Sequence, residues 1–234
     1  QIAQQLPLIS DPVVTRYINV LGDSLAHLTP RADLDWHFYV VDSREVNAFA
    51  VPGGYVYVNR GLIERASSMD ELAGVLAHEI THVVDRHSVK QMQQQQGANV
   101  GITLACVLTS VCNGQAAGTA INVAGTALFA KFSRTDEMQA DDGAVGIVVR
   151  AGISPRGLVT MFQKLLDERK SQPTAVDAWF ATHPLEEARI QDVQQRINRI
   201  PQSTLSRLTR DSQNFHSFKN RLQSLPPSPT PRTQ

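Results

Sequence analysis

"VLAHEITHVVDRHS", Val75–Ser88, sets three histidines, a glutamate and an aspartate into an otherwise largely apolar run. Leu72, Val75, Leu76, Ile80, Val83 and Val84 give the stretch from Met69 to about Met92 a broad apolar face, which predicts one long, largely buried helix. A helix advances about 100° per residue, so His78 and His82 fall within about 40° of each other on one face and can share a metal ion. His87 lies about 180° from His78 on the same wheel and is predicted to point away. Asp85, about 20° from the azimuth of His78, keeps two readings: it orients an imidazole, or it solvates the end of the helix. Two imidazoles and a carboxylate are costly to bury unless a metal or one another satisfies them.

Glu79 directly follows His78, so the chain reads His78-Glu79-Ile80-Thr81-His82, the zincin HExxH arrangement. In that arrangement the imidazoles bind Zn²⁺, one ion per chain, and Glu79 takes a proton from metal-bound water as it attacks a peptide carbonyl. A catalytic zinc wants a third protein ligand and an open position. The longer pattern HExxHxxGxxH would need glycine at 85 and histidine at 88, where this chain has Asp85 and Ser88. A later acidic stretch, "SRTDEMQADDGAVG" (133–146), supplies the alternative, because Glu137 and Asp141 are four apart and share a helix face. Glu137 is assigned as third ligand, and Asp141 as the acceptor that orients a ligand histidine through its free ring N–H.

The rest of the chain frames this site. Behind Asp11 and Pro12, Val14, Ile18, Leu21, Leu25 and Leu28 predict an amphipathic helix over 11–29. "WHFYVVD" (36–42), "VNAFAV" (46–51) and "YVYVN" (55–59) read as three short strands, the last two joined as a hairpin through Pro52-Gly53-Gly54. "QMQQQQG" (91–97) reads as a loop or frayed helix end. Residues 98–130 read as two core helices and a candidate lid or docking element, and further helices are predicted at 135–151, 155–170, 185–199 and 210–224. The Pro-rich end, "LPPSPTPRTQ" (225–234), is expected to be disordered. The domain plan is therefore 1–200 with the active site, a helical extension at 201–224, and a tail at 225–234.

Charge and length exclude several classes of function. Lys+Arg and Asp+Glu are both 22 in 234 residues, so no global field favours nucleic acid, and no nucleic-acid partner is expected. No Asp, Glu, Lys or Arg lies between Lys90 and Lys131. The densest apolar run there, "GITLACVLTSVC", is nevertheless shorter than the ~17 residues a span requires. No transmembrane span is expected, and peripheral membrane contact stays open. Two cysteines, Cys106 and Cys112, are too few for a disulfide scaffold.

Three blocks, "VNAFAVPGGYVYVNRGLI" (46–63), "ELAGVLAHEITHVVDRHS" (71–88) and "FSRTDEMQADDGAV" (132–145), with a fainter "THPLEEARI" (182–190), together resemble one zinc metallopeptidase family. It is the family of the CAAX prenyl proteases and HtpX, and the likeness is greatest to its soluble bacterial cell-envelope branch, which serves β-barrel assembly. The resemblance implies an α+β, mostly helical gluzincin domain with a small three-stranded sheet and hairpin packed on the HExxH helix. It also implies His78, His82 and Glu137 on zinc, Glu79 as base, and Asn47, Ala48 and Phe49 along a strand that an extended substrate joins. His183 is expected to stabilise the oxyanion or to occupy the open zinc position in a resting form, and Arg189 to contact substrate near the site. One departure stands out: where the family's third block reads Glu-x-Glu-Ala-Asp, this chain has Gln139 for the second glutamate, and metal binding is expected to survive the change.

The expected function is hydrolysis of unfolded or misassembled envelope proteins, with outer-membrane assembly machinery as a candidate partner. The address is periplasmic or envelope-associated, with an export signal removed. The alternative is an envelope chaperone or assembly factor whose protease site is latent or secondary. Residues 200–234 are too short for a tetratricopeptide array, so substrate delivery by such repeats is not expected from them.

Overall fold

A computed structural model describes residues 6–96 and 131–229. The predicted lid at 98–130, Cys106 and Cys112 therefore lie outside the described residues, as does the chain beyond 229. Within the described residues the chain runs α1 (Pro12–Ala26), β1 (His37–Val41), β2 (Ala48–Val51), β3 (Tyr55–Asn59), α2 (Arg60–Arg65), α3 (Met69–Val84) and α4 (His87–Gln96). It continues with α5 (Arg134–Arg150), α6 (Arg156–Ser171), α7 (Pro173–Thr182), α8 (Glu187–Asn198), α9 (Gln202–Leu205) and α10 (Gln213–Ser224). The α+β, mostly helical architecture with one small sheet is the one expected.

Local chemistry explains the starts and stops. The Asp11 carboxylate accepts from the backbone N–H groups of Val13 and Val14 at 3.1 Å, capping α1 ahead of Pro12. Val14, Ile18, Leu21 and Leu25 are buried as the spacing predicts, but the helix ends at Ala26 and leaves Leu28 exposed. At the hairpin, Gly53 and Gly54 take φ of 102° and 97°, which side-chain-bearing residues rarely adopt. The sheet order is β1-β3-β2: β3 pairs antiparallel with β2 through the turn and parallel with β1 on its other side. Leu8 and its neighbours add an antiparallel bridge to the outside of β1, which leaves β2 at the other edge of the sheet.

α3 is the hub. All its residues from Asp70 to Val83 are buried, and it packs against α5 and α6 on one side and against β2, β3 and α1 on others. α10 returns to α1, where Phe215, Phe218 and Leu222 join the same core and Tyr17 stacks on Phe218 at 4.3 Å.

Two expectations about the HExxH segment need correction. The predicted single helix to Met92 is two helices, broken at Asp85 and Arg86, and the glutamine run to Gln96 is helical. Asp85 caps α3, and Arg86 takes φ of 58°, a left-handed turn made without a glycine or asparagine to announce it.

Candidate metal centre

α3 brings His78, Glu79 and His82 into the core, and α5 lies across it with Glu137 and Asp141 one turn apart. The start of α5 is set by a reciprocal cap: Ser133 Oγ accepts from the Asp136 N–H at 3.1 Å, and Asp136 accepts from the Ser133 N–H at 3.2 Å. The first turn after that cap therefore carries Glu137. α5 comes very close to α3 at Gly143, where a Cβ would stand 2.4 Å from Thr81 Cγ2. His183 follows α7, and Arg189 lies in the first turn of α8.

One nitrogen or oxygen each from His78, His82, Glu137 and His183 meet within 4.8 Å of one another. All four residues are buried, as are Glu79 and Asp141. The Nε2 atoms of His78 and His82 are 3.0 Å apart, and Glu137 Oε1 is 3.4 Å from His82 Nε2. Both imidazoles are held by acceptors on their far sides. Asp141 Oδ1 accepts from His78 Nδ1 at 2.9 Å, which leaves the lone pair of a neutral His78 on Nε2.

The corresponding partner of His82 is His87, and here the helical-wheel reading is overturned. Because α3 ends at Val84 and the chain turns through Arg86, His87 does not point away; it is buried with its Nδ1 3.0 Å from His82 Nδ1. His87 Nε2 donates to Gln139 Oε1 at 3.0 Å, with Asp136 and Asp85 oxygens at 3.7 and 3.9 Å. Its Nδ1 is then the acceptor for His82 Nδ1–H, and the His82 lone pair also falls on Nε2. Burial holds the His82 imidazolium well below its ordinary pKa and keeps the ring neutral. Gln139 thus has a definite place, its side-chain carbonyl accepting from His87 Nε2–H. Asp85 is the helix cap and stands near His87 rather than His78.

Two lone pairs 3.0 Å apart in a dry interior repel, and a carboxylate beside them makes a donor set of the kind that holds zinc or another borderline cation. These residues fit a metal.

Burial opposes ionisation of Glu137, but the His183 and Arg189 charges outweigh it and hold the carboxyl well below its usual range. Asp141 is likewise lowered, burial being outweighed first by Arg189 and then by His78. Glu79 behaves differently: burial raises its carboxyl, only partly offset by His183 and His78.

Arg189 is not at a substrate surface. Its guanidinium is buried, donates to Asp141 at 2.6 and 2.9 Å and to the Pro184 carbonyl at 2.7 Å, and is paired with Glu137. It lies 4.8 Å over the Phe162 ring.

His183 Nδ1 sits inside the cluster, 3.4 Å from His78 Nε2 and 3.0 Å from Glu137 Oε1. Its Nε2 faces Glu79 Oε1 at 3.5 Å, and neither atom has a hydrogen-bond partner. Burial disfavours the His183 imidazolium, but Glu137 and Glu79 outweigh it and raise the pKa.

The expected substrate strand is arranged differently from its outline in the sequence. Ala48 and Ala50 face the main core, whereas Phe49 lies on the opposite face and stacks on Tyr57 at 4.9 Å. Asn47 is buried at the start of the strand. It is Ala50 and Pro52, rather than residues 47–49, that share a cavity with His82. The aromatic surround was also missed: Phe132 stacks on His82 at 4.0 Å, Trp179 on His183 at 4.5 Å, and Phe162 meets His78 edge-on at 6.0 Å. Phe132 directly precedes Ser133 and Trp179 stands four residues before His183, and no motif in the sequence marked either ring.

The model of peptidase family M48 matches residues 12–197, from α1 to the end of α8. The chain is 34% identical over 209 residues to the β-barrel assembly-enhancing protease of Escherichia coli (strain K12), a match covering 86% of this chain and 42% of that protein. It is 28% identical over 162 residues to the metalloprotease LoiP of the same organism, covering 69% and 63%. It is also 28% identical over 210 residues to the mitochondrial metalloendopeptidase OMA1 of Schizosaccharomyces pombe, covering 90% and 59%. This chain thus spans less than half the length of the first of these relatives. With the matched residues containing His78, Glu79, His82 and Glu137, the chain belongs to peptidase family M48 and carries a metallopeptidase domain.

Proposed function

We propose that the chain is a zinc-dependent endopeptidase in which His78, His82 and Glu137 hold the metal and Glu79 is the general base. The observation that carries this reading is the pair of Nε2 lone pairs 3.0 Å apart beside Glu137, each fixed by an acceptor on the far nitrogen of its ring. A zinc ion there would polarise the scissile carbonyl and lower the pKa of water toward ~7. The chain's own residues do the remainder. Glu79, with its carboxyl raised by burial, takes the proton of the attacking water and returns it to the leaving amine. Asp141 and His87 keep both imidazoles in the Nε2-accepting tautomer, while Arg189 neutralises Glu137 and Asp141.

In the arrangement described here His183 stands where a substrate carbonyl would need to come, so it acts as a resting occupant that must swing away. Trp179, stacked on its ring, holds it there. The envelope setting rests on the relatives: the name of the Escherichia coli protein ties that protein to β-barrel assembly, which supports unfolded or misassembled envelope proteins as substrates here and outer-membrane assembly machinery as a partner. No described helix is long and apolar enough to cross a membrane.

The test is Glu79→Gln assayed for zinc content and for cleavage of an unfolded protein such as casein. Retained zinc with cleavage abolished is expected. Cleavage at the wild-type rate would remove Glu79 as base, and full envelope function in a cleavage-dead variant would favour the assembly-factor alternative.

A further inference from the structure

A larger and a smaller open cavity border the HExxH helix among the described residues, and they differ in charge. The larger, about 460 Å³, has Asp85 and Asp142 as well as Lys90 and Arg150 in its wall, so its charges offset one another. The smaller, about 250 Å³, is bounded by Ala50 and Pro52 of the hairpin, by His82, and by Val89, and has Arg31 and Arg86 in its wall with no acidic residue. It adjoins the metal centre through His82 itself, whose Nε2 belongs to the ligand cluster.

Neither guanidinium has an ion-pair partner among the described residues. The remaining residues supply no acidic side chain either, because 1–5, 97–130 and 230–234 contain no Asp or Glu. With no acidic side chain in the cavity wall, the half-buried Arg31 and the exposed Arg86 give it a local positive field for a carboxylate, although the net charge of the whole chain is zero. Guanidinium is the side chain whose planar donor fork matches a carboxylate. Arg86 follows the Asp85 cap with φ of 58°, the left-handed turn that ends α3 and sets this residue in the cavity wall.

Size and position fix what could enter. A cavity of this volume lies below the ~300–1,000 Å³ typical of whole-ligand sites, and suits one side chain better. Successive side chains of an extended peptide laid along β2 alternate faces, so one of them can turn into a cavity bounded by Ala50 and Pro52 while the backbone passes His82.

We propose that this cavity is a specificity subsite that takes an acidic side chain, Asp or Glu, of the peptide substrate, held by Arg31 and Arg86. The proposal rests on the peptidase reading above and deepens it.

The test uses N-acetylated, C-amidated quenched peptides that are identical except for a single Glu, Gln or Lys moved through the three positions on each side of the scissile bond. For the wild-type chain, Glu at one position is expected to raise kcat/KM at least tenfold over Gln, chiefly through KM. In Arg31→Ala/Arg86→Ala that ratio should fall to about one, and Arg86→Glu should shift the preference toward Lys. An unchanged Glu-to-Gln ratio in the double variant overturns the proposal, as does the absence of a Glu preference at every position. A parallel arm measures binding of the same peptides to the Glu79→Gln chain by fluorescence anisotropy. If no peptide is cleaved by wild type, but Glu peptides bind at least tenfold tighter than Gln peptides and lose that advantage in the arginine variants, the subsite stands and the peptidase reading falls. Equal binding of Glu and Gln peptides overturns the subsite by itself. A matching set with free C-termini is measured beside them, and a preference seen only in that set, independent of sequence, assigns the cavity to a terminal carboxylate and overturns the side-chain version.

Discussion

Gly143→Ala tests whether the close crossing of α3 and α5 is what assembles the site. An added Cβ would lie 2.4 Å from Thr81 Cγ2, 2.6 Å from Thr81 Oγ1 and 3.1 Å from Thr81 Cβ. Carbon atoms pack at ~3.5–4.0 Å, so Thr81 or the helix must give by about 1 Å. Thr81 has little room to yield, because its hydroxyl donates to the Ala77 carbonyl at 2.8 Å inside the most buried helix of the chain. Overpacking of this kind costs about 1–3 kcal/mol, against about 0.5–1 kcal/mol that alanine gains over glycine in a helix interior. The difference of the two ranges centres on a loss of about 1 kcal/mol, a fall in Tm of roughly 2–4 °C for a chain of this size. Thr81 lies between Glu79 and His82, and Gly143 is two residues past Asp141, so the displacement also parts the two halves of the donor set, and zinc affinity should drop with stability. Thermal denaturation together with competition against a chromophoric chelator reads both. Thr81→Ala/Gly143→Ala removes the two shortest contacts and should recover most of each loss. A Gly143→Ala chain that is as stable as wild type or more so, with unchanged zinc affinity, would refute the reasoning.

His87→Ala removes the acceptor that fixes the His82 tautomer and is expected to weaken zinc binding about 10–100-fold, the usual scale for such partners. His87→Asn, whose Oδ1 can accept from His82 Nδ1–H, should restore part of it, and equal affinity in all three chains would count against the relay. Arg189→Ala strips the cation from two buried carboxylates and should cost about 3–5 kcal/mol in a denaturant titration. Arg189→Lys should recover little, since one ammonium cannot reproduce the forked contacts with Asp141. His183→Ala should raise the initial rate of casein cleavage if the ring is a resting occupant, whereas a lower rate would assign it to transition-state stabilisation.

The parts that were legible in the sequence are those where chemistry repeats with local geometry. The spacing of His78 and His82, the four-residue step from Glu137 to Asp141, and the Pro52-Gly53-Gly54 turn each report one helix face or one turn, and the structure brings the four metal-centre residues together. His87 was misread because the wheel argument assumes an unbroken helix. The break at Arg86 uses a left-handed turn without glycine, so no residue type signals it. Arg189 was misplaced for another reason: an arginine near an active site looks like a substrate contact until its partners are known, and its carboxylate partners, Asp141 and Glu137, lie on α5, 48 and 52 residues away in sequence. The face reversal at Phe49 reflects strand periodicity, since only alternate residues of β2 can look toward α3. The aromatic surround of the three imidazoles follows from tertiary packing and has no spacing to read.

Zinc titration of three purified chains, wild type, Glu79→Gln and Glu137→Gln, tests the central claim most directly. The account predicts one zinc per chain for wild type and Glu79→Gln with similar affinity, and at least a hundredfold weaker binding for Glu137→Gln, as the proposed roles of Glu137 as ligand and Glu79 as base require. Undiminished zinc affinity in Glu137→Gln, or loss of the metal in Glu79→Gln, would contradict it.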